Sequence, residues 1–235
     1  MKVKIDIICP LYNAEKYIDK LHDSFLKQKQ VNINEIKYIL TECGDNTEKI
    51  LKKRKIKYKK IPKKDFSHSL VRERASINSS SDVLVFVTQD VVIKDDLWLY
   101  NLVKDIDDKN IVASYSRQLT KYNNIEKYTR ESNYPDKDVI KSKDDIEKLG
   151  LKTFFFSDAS SAINTKLFKK LNGYDNKDLP ISEDMYIAYK IINNGYKIKY
   201  CSESVVYHSH NFTLKEVYER YKLTGKFFKD ICINC

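Results

Sequence analysis

Residues 83–90 of the chain read VLVFVTQD, and this stretch decides the fold class. The run from Val83 to Val87 is wholly apolar, without the alternation of a strand that has one solvated face, so it predicts a strand buried on both faces. Such strands are typical of the centre of a parallel sheet. Asp90 follows directly, and open α/β sheets bind ligands just beyond the carboxyl ends of their strands. A carboxylate there can hold a metal that clamps a diphosphate, or it can simply open the next turn.

Strand and helix patterns alternate on both sides of this strand. Before it we predict strands at 3–9, 36–40 and 56–61 and helices at 14–27, 47–53 and 69–79. After it we predict an irregular polar segment at 118–152, a short strand from Phe154, helices at 165–171 and from Glu183, short strands at 197–201 and 204–208, and a helix from Thr213. Repeated strand-helix units predict an α/β protein with a mostly parallel central sheet, flanked by helices, and a C-terminal helix. The chain has no internal repeat or linker, so we expect a single domain over residues 1–235.

Composition excludes several classes of protein. Hydrophobic residues make up 42% of the chain, as in globular proteins, and no apolar run reaches the roughly 18 residues of a membrane-spanning helix. The N-terminal segment 1–6 carries an acid and no cleavage site, so we expect a cytoplasmic protein. The five cysteines are scattered, which favours reduced thiols, and the lone pair Cys232 and Cys235 lacks the further ligands of a zinc site. The net charge of +10 is spread along the chain without the motif of a nucleic-acid-binding module, so we expect no nucleic-acid partner.

The segment Ser182-Glu183-Asp184 stands at the start of a predicted helix and has two interpretations. Ser182 is a good N-cap, and acids in the first turn are favoured by the helix dipole. Alternatively, a carboxylate held rigidly at a helix N-terminus can act as a general base. The segment alone does not decide between them.

Histidines are placed where they could bind ligands. His208 and His210 lie two apart in a segment that follows apolar residues, so in an extended chain both rings project from one face and could contact a metal or a phosphate. His68 and Arg72 stand at the entry to the helix before the central strand, where a helix N-terminus with an added arginine suits a phosphate. The alternative there is an ordinary Ser67 or Asp65 cap with a solvated arginine.

Short motifs follow one another in a characteristic order. They are Cys9-Pro10-Leu11-Tyr12-Asn13-Ala14-Glu15, Phe66-x-His68-x-x-x-Arg72, Val85 to Asp90 with Trp98 eight residues on, Phe155-Phe156-Ser157-Asp158 to Ser161, Leu171-Asn172-Gly173-Tyr174, Ser182-Glu183-Asp184-Met185, Asn194-Gly195-Tyr196-Lys197 and Val206-Tyr207-His208-Ser209-His210. In this order they resemble glycosyltransferase family two, which has the GT-A fold, and specifically its bacterial rhamnosyltransferase branch. The resemblance covers nearly the whole chain.

The resemblance implies roles for residues of the reaction centre. Asp90 matches the last acid of the family's D-x-D metal motif, with Thr88 in place of the first acid, as in rhamnosyltransferase-like members. Asp184 matches the acid of the E-D motif and is implied to be the catalytic base. His208 matches a histidine that completes metal coordination, and His210 is the alternative.

The resemblance also implies binding residues. Nucleotide-sugar contacts are implied for Pro10, Tyr12, Glu42, Asp45, His68, Arg72 and Gln89, and acceptor contacts for Asp158 and Glu183. The segment 40–47 departs from the family pattern, since Asp45 and Thr47 can be matched but the first Asp is missing or replaced by Glu42. That Asp helps to hold the base and ribose in the family, so the departure leaves the donor open.

The implied activity is inverting, single-displacement sugar transfer with Mn²⁺ or Mg²⁺ as cofactor. The implied donor is dTDP-rhamnose, and the implied acceptor is a saccharide or lipid-linked saccharide of a bacterial cell-surface polysaccharide. Residues 1–117 would then bind the nucleotide-sugar, and residues 118–235 the acceptor and catalytic groups. The alternatives are a UDP-sugar donor on the same fold and a sugar nucleotidyltransferase. The latter would need a glycine-rich phosphate loop near the first strand, and no glycine precedes Gly44.

The last predicted helix, over residues 214–231, places apolar residues at helical spacing with lysines and arginines between them. It can pack onto the domain, or it can rest on an anionic membrane as a basic amphipathic helix. Peripheral contact with the inner face of the membrane would suit a lipid-linked acceptor. Family members usually continue beyond this helix, so a C-terminally truncated chain remains an open alternative.

Overall fold

The computed structural model describes residues 3–107, 109–122, 125–210 and 212–230, so Cys232 and Cys235 lie outside the described residues. The strands are β1 (Lys4–Leu11), β2 (Asn32–Thr41), β3 (Tyr58–Ile61), β4 (Val83–Val87), β5 (Val92–Ile93), β6 (Ile111–Leu119), β7 (Val139–Lys141), β8 (Ser160–Asn164) and β9 (Lys197–Tyr207). The helices are α1 (Ile18–Leu26), α2 (Thr47–Lys53), α3 (His68–Ile77), α4 (Trp98–Val103), α5 (Ile125–Asn133), α6 (Ile146–Leu149), α7 (Thr165–Lys170), α8 (Glu183–Asn193) and α9 (Leu214–Asp230).

The strands of the described residues form one sheet in the order β3-β2-β1-β4-β8-β6-β9-β5, and β7 also pairs with β9. The α/β class and the C-terminal helix are confirmed. The strands from β1 to β4 pair in parallel, as does β6 with β9. The sheet as a whole is mixed, because β8 enters between β4 and β6 in the opposite direction, and because β5 and β7 run antiparallel to β9.

The central strand β4 is buried on both faces, as its continuous apolar run predicts. Leu84 and Phe86 face a core that also contains apolar side chains of α3, α7 and α8. Val83, Val85 and Val87 face a second core, which contains side chains of α1, α2 and α4. The sheet is therefore covered by helices on both sides.

The strand β8 was not predicted, and the strand predicted from Phe154 is wrong, since residues Gly150–Phe154 form a 3₁₀ turn. The sequence of β8 is SSAIN, yet all five residues are buried. Its serines are satisfied inside the sheet: Ser160 Oγ lies 2.6 Å from Ser116 Oγ and accepts a hydrogen bond of 3.1 Å from Trp98 Nε1. A polar strand can thus occupy a core position because its partners lie on neighbouring elements.

Two other segments differ from their predictions. The polar segment 118–152 is not irregular throughout, since it contains α5, β7 and α6. The two short strands predicted at 197–201 and 204–208 are one strand, β9, whose pairing with β6 shifts between Ser116 and Arg117. The shift produces a bulge in β9, which contains the hydrophilic residues between the two predicted strands.

The direction of the strands determines where a site can form. The strands β1, β2, β4, β6 and β9 all run the same way, because β8 is antiparallel to both β4 and β6. Their carboxyl ends therefore meet at one edge of the sheet, the usual position of ligand sites in such folds.

Candidate active site

The loops after β1 and β2 are tied together at this edge by side-chain hydrogen bonds. The carboxylate of Asp45 accepts hydrogen bonds from the N–H of Glu15 (3.0 Å) and from the hydroxyl of Thr47 (2.8 Å). The same hydroxyl oxygen accepts from the N–H of Ala14 at 2.7 Å. Burial would raise the pKa of Asp45, but hydrogen bonds outweigh it and lower the pKa, so the carboxylate stays ionised. Asp45 thus shapes the loop, and its contact with a nucleotide stays a prediction, as does that of the exposed Glu42.

Gln89 joins the end of β1 to the end of β4. Its Oε1 accepts a hydrogen bond of 2.7 Å from the N–H of Tyr12, and its Nε2 donates one of 2.7 Å to the carbonyl of the same residue. The ring of Tyr12 is 39% exposed, with the Lys63 ammonium 5.5 Å from its centroid. Pro10 lies half-buried within β1. The structure therefore brings these predicted binding residues to the same edge, with the Gln89 amide engaged by backbone rather than open to a ligand.

Asp90, His208 and His210 converge at the carboxyl ends of β4 and β9. A carboxylate oxygen and one nitrogen of each ring all lie within 4.8 Å of one another. Asp90 Oδ2 is 3.5 Å from His208 Nε2 and 3.8 Å from His210 Nδ1. The N–H of His208 donates to the carbonyl of Leu119 at 3.0 Å, which extends the pairing of β6 with β9 up to this point. The sequence predicted these three residues as metal ligands, and the fold places them together.

Gln118 is a residue of this centre that sequence reasoning missed. It is fully buried on β6, and its Oε1 lies 2.9 Å from Nδ1 of His208. Its Nε2 donates to Ser157 Oγ at 2.8 Å, and Arg130 also donates to its Oε1. A carbonyl oxygen can only accept, so this contact assigns a proton to His208 Nδ1, and Nε2 is the nitrogen that faces Asp90 and could give its lone pair to a metal. A glutamine at a buried position of a strand was the available signal.

The donor set fits a divalent first-row metal. Burial would raise the pKa of Asp90, but the hydrogen bond and charge of His208 and the charge of His210 hold it at about 2, so the carboxylate is ionised. Two imidazoles and a carboxylate suit Mn²⁺ better than Mg²⁺, which prefers oxygen ligands only. The oriented second nitrogen of His208 is the usual arrangement around a metal-binding histidine.

Asp184 lies in the first turn of α8 and keeps a partly exposed side chain. Ser182 occupies the N-cap position with φ 58° but makes no side-chain cap hydrogen bond, so the prediction that its side chain caps α8 is wrong, although Glu183 and Asp184 do lie in the first turn. Asp184 Oδ1 accepts from the N–H of Met185 at 2.8 Å, and Oδ2 accepts from the N–H of Asp158 at 3.4 Å. Burial, with repulsion from Glu183 and Asp158, raises the pKa of Asp184 well above its ordinary value. A carboxylate with a raised pKa is suited to take up a proton during a reaction.

Arg72 lies behind Asp184 rather than at the surface, so the alternative of a solvated arginine is wrong. Its side chain is 2% exposed, and its Nη1 lies 3.1 Å from Glu183 Oε1. Nε lies 3.9 Å from Asp158 Oδ2. Nη1 also donates to the carbonyl of His68 at 2.9 Å. This buried arginine therefore joins the start of α3 to the start of α8.

Asp158 is also enclosed by partners. Its two oxygens accept hydrogen bonds of 2.6 Å from Ser161 Oγ and 2.7 Å from Tyr174 Oη. The buried positions of Asp158, Glu183 and Arg72 favour positioning of Asp184 over direct contact with a ligand. Their predicted contacts with acceptor and donor stay predictions.

His68 is the first residue of α3 and is exposed, with its ring edge-on to that of Phe66 at 4.9 Å. Ser67 caps this helix, since its side chain accepts from the N–H of Leu70 at 3.3 Å. The cap that we considered as an alternative is thus present, beside a histidine whose side chain is exposed.

The chain is similar to known proteins in sequence. Residues 6–171 match the model of the family described as glycosyl transferase family 2. The chain is 37% identical over 231 residues to the O-antigen chain rhamnosyltransferase RfbN of Salmonella typhimurium. This match covers 96% of the chain and 72% of RfbN. It is 34% identical over 227 residues to the O-antigen chain rhamnosyltransferase WbaN of Salmonella anatum, covering 94% and 71%.

Solved structures share the fold at low sequence identity. S. aureus TarS in complex with UDP-GlcNAc is similar with a TM-score of 0.70 and 18% identity, over 94% of this chain and 64% of that one. The mannosyltransferase PcManGT from Pyrobaculum calidifontis, in complex with GDP-Man and Mn²⁺, is similar with a TM-score of 0.70 and 13% identity, over 100% and 66%. The chain belongs to glycosyl transferase family 2 and is a glycosyltransferase of the GT-A fold.

Proposed function

We propose that this chain transfers rhamnose from dTDP-rhamnose, with inversion, to a saccharide acceptor in O-antigen synthesis. The observation that carries the proposal is the centre formed by Asp90, His208 and His210 at the carboxyl edge of the sheet. The two curated relatives support the sugar and the pathway, since both are named O-antigen chain rhamnosyltransferases. The alternative of a sugar nucleotidyltransferase is not retained, because the family is one of glycosyl transferases.

The two halves of the chain divide the substrates. Residues 1–117 bind the nucleotide-sugar, with the exposed ring of Tyr12 as a surface for the base and the nearby Lys63 as a cation for the diphosphate. Residues 118–235 provide the acceptor side and Asp184. Asp90, His208 and His210 would hold a Mn²⁺ or Mg²⁺ ion, which would supply a Lewis acid for the negative charge that develops on the leaving diphosphate.

The proposed reaction is a single displacement. An acceptor hydroxyl oxygen forms a bond to the anomeric carbon while the bond from that carbon to the diphosphate oxygen breaks, and the bonding electron pair leaves with the nucleoside diphosphate. Asp184 takes the proton of the attacking hydroxyl, a role that suits its raised pKa. The buried Arg72–Glu183 pair fixes the start of α8 and so the direction of this carboxylate.

Donor binding tests the proposal most directly. With Mn²⁺ present, dTDP-rhamnose at about 100 times its Kd should stabilise the protein by about 2.7 kcal/mol, which a thermal unfolding assay measures. UDP-glucose, UDP-GlcNAc and GDP-mannose serve as controls. Stabilisation by a UDP-sugar rather than by dTDP-rhamnose would identify the UDP-sugar as the donor, in line with the altered segment 40–47. Absence of stabilisation by every nucleotide-sugar would contradict the proposed function.

The exposed side of α9 is proposed to rest on an anionic membrane. Leu214, Tyr218 and Tyr221 are spaced so that they share one helix face, and they are 75%, 64% and 65% exposed. Lys215, Lys222 and Lys229 lie seven residues apart and so line one side of this face. Phe227 faces the core instead. No helix among the described residues could cross a bilayer, so any such contact would be peripheral.

Vesicle flotation should detect this contact. The protein should float with vesicles of phosphatidylethanolamine and phosphatidylglycerol but not with vesicles of phosphatidylcholine alone. Each lysine near an anionic surface contributes about 1 kcal/mol, so the triple variant Lys215→Glu, Lys222→Glu, Lys229→Glu should remain unbound. The matched control is Lys53→Glu, Lys57→Glu, Lys59→Glu, with the same change of charge on exposed lysines around α2 and β3. Equal flotation of both triple variants would exclude α9 as the membrane surface.

A further inference from the structure

A cavity of about 730 Å³ lies beside the metal centre, between the end of β6, α5 and the end of β9. Its walls adjoin the centre directly. Arg130, in one wall, donates to the same Gln118 oxygen that contacts His208. Tyr207, in another wall, immediately precedes His208. The volume falls within the range of small-molecule sites.

The position of the cavity follows from the strand order. Asp90 follows β4, the residues proposed to bind the nucleotide-sugar lie toward β1 and β2, and the cavity lies toward β6 and β9 on the other side. A single displacement requires the incoming and the leaving oxygen on opposite sides of the anomeric carbon. A group bound in this cavity would therefore approach from the side opposite the nucleotide.

The lining has the chemistry of a site for sugar hydroxyls. Arg117 and Lys127 supply donors, while Glu131 and Asp136 supply acceptors in the same walls. Two carboxylates would repel a phosphate, whereas a mixture of both signs suits hydroxyl groups, which donate and accept. The Nε atom of Arg117 is buried and has no hydrogen-bond partner among the described residues, and a buried donor of this kind is costly unless a ligand or water satisfies it.

An aromatic ring borders the cavity as well. Tyr122 is 49% exposed and can offer its face to the apolar side of a sugar ring. The ring of Tyr207 already carries the Lys121 ammonium 5.4 Å from its centroid, which leaves Tyr122 as the more accessible surface of the two.

We propose that this cavity binds the acceptor saccharide and that Tyr122, Arg117 and Asp136 determine which saccharide is accepted. The inference rests on the proposed glycosyl transfer and adds to it the place and the chemistry of acceptor recognition.

The test measures saccharide binding and donor chemistry separately. Methyl glycosides of galactose, glucose, mannose and rhamnose serve as probes in saturation-transfer NMR with the wild-type protein. We expect at least one to bind, and Tyr122→Ala to weaken that binding about tenfold, with a comparable loss in Asp136→Asn. Hydrolysis of the nucleotide-sugar without acceptor should stay unchanged in both variants, because water needs no saccharide site.

Tyr128→Ala is the matched control, since Tyr128 lies on the same helix as Arg130, is 71% exposed and does not line the cavity. Failure of all four glycosides to bind the wild-type protein would overturn the proposal. The proposal would also be overturned if Tyr122→Ala and Asp136→Asn both bound the glycoside as tightly as the wild-type protein does. If nucleotide-sugars still stabilise the protein, either result leaves the proposed glycosyl transfer unaffected. If no nucleotide-sugar stabilises the protein, the proposed glycosyl transfer is itself rejected.

Discussion

Replacing Asp184 with asparagine should reduce sugar transfer by about 10²–10⁴-fold, the usual contribution of a positioned general base, while the protein still binds its nucleotide-sugar. The change keeps the shape of the side chain and removes its ability to accept a proton. Its Oδ1 can still accept from the N–H of Met185, so the start of α8 should be preserved.

Two measurements separate this effect from a structural one. Donor affinity from thermal stabilisation should match that of the wild type, and turnover should be lost as kcat rather than as donor KM. Asp178→Asn is the control, since Asp178 is an exposed carboxylate that precedes the same helix and should retain full turnover. Turnover of Asp184→Asn near the wild-type level would remove Asp184 from the role of base.

The pH profile of the wild type should carry the same signature. The folded-state pKa of Asp184 is raised above 3.8, and only its ionised form can take the proton. Transfer should therefore fall as the pH drops through this raised pKa, which lies above the usual range of aspartate. The residual activity of Asp184→Asn should lack that acidic limb.

Removing the Asp90 carboxylate should have the second large effect. Loss of a partner that merely orients a metal ligand costs about 10–100-fold in metal affinity or activity. Asp90 is proposed to bind the metal directly, so Asp90→Asn should reduce both Mn²⁺ affinity and sugar transfer by more than about 100-fold. Excess chelator should abolish transfer by the wild type, and added Mn²⁺ should restore it. Titration of Mn²⁺ followed by electron paramagnetic resonance measures the loss of binding without relying on activity. Full transfer in excess chelator would contradict the metal centre.

A graded series distinguishes the ligands. His208→Ala should weaken Mn²⁺ binding more than His210→Ala, because His208 lies closer to Asp90 and its ring is oriented by Gln118. The Mn²⁺ affinity of Gln118→Met should lie between those of the wild type and His208→Ala, about 10–100-fold below the wild type. Equal Mn²⁺ affinity in wild type and Gln118→Met would show that the oriented nitrogen is not needed.

The sequence predicted those elements whose pattern is local. The apolar run of β4 required burial on both faces, and the helix predicted at 47–53 has those bounds in the structure. The strand β8 could not be found this way, because its serines become acceptable in a core only when Ser116 and Trp98 supply their hydrogen bonds. These partners lie 44 and 62 residues away in the chain.

The same limit applied to the site. Asp90, Asp184 and His208 were predicted from their place in motifs, and the structure brings Asp90 and His208 together. Gln118 was missed since nothing local marks a glutamine as the partner of a histidine 90 positions on. Arg72 was expected near a ligand, but its neutralising partners Glu183 and Asp158 lie in distant segments, and only the fold shows that they enclose it.

The hydrogen bonds between the loops after β1 and β2 have a consequence for protein engineering. Asp45 and Thr47 hold the backbone of Ala14 and Glu15, so neither loop keeps its shape alone. An exchange of segment 41–47 with that of a relative, made to change the donor, would leave these N–H groups without their acceptors. The transplantable unit is therefore the pair of segments 12–17 and 41–47, moved together as one graft.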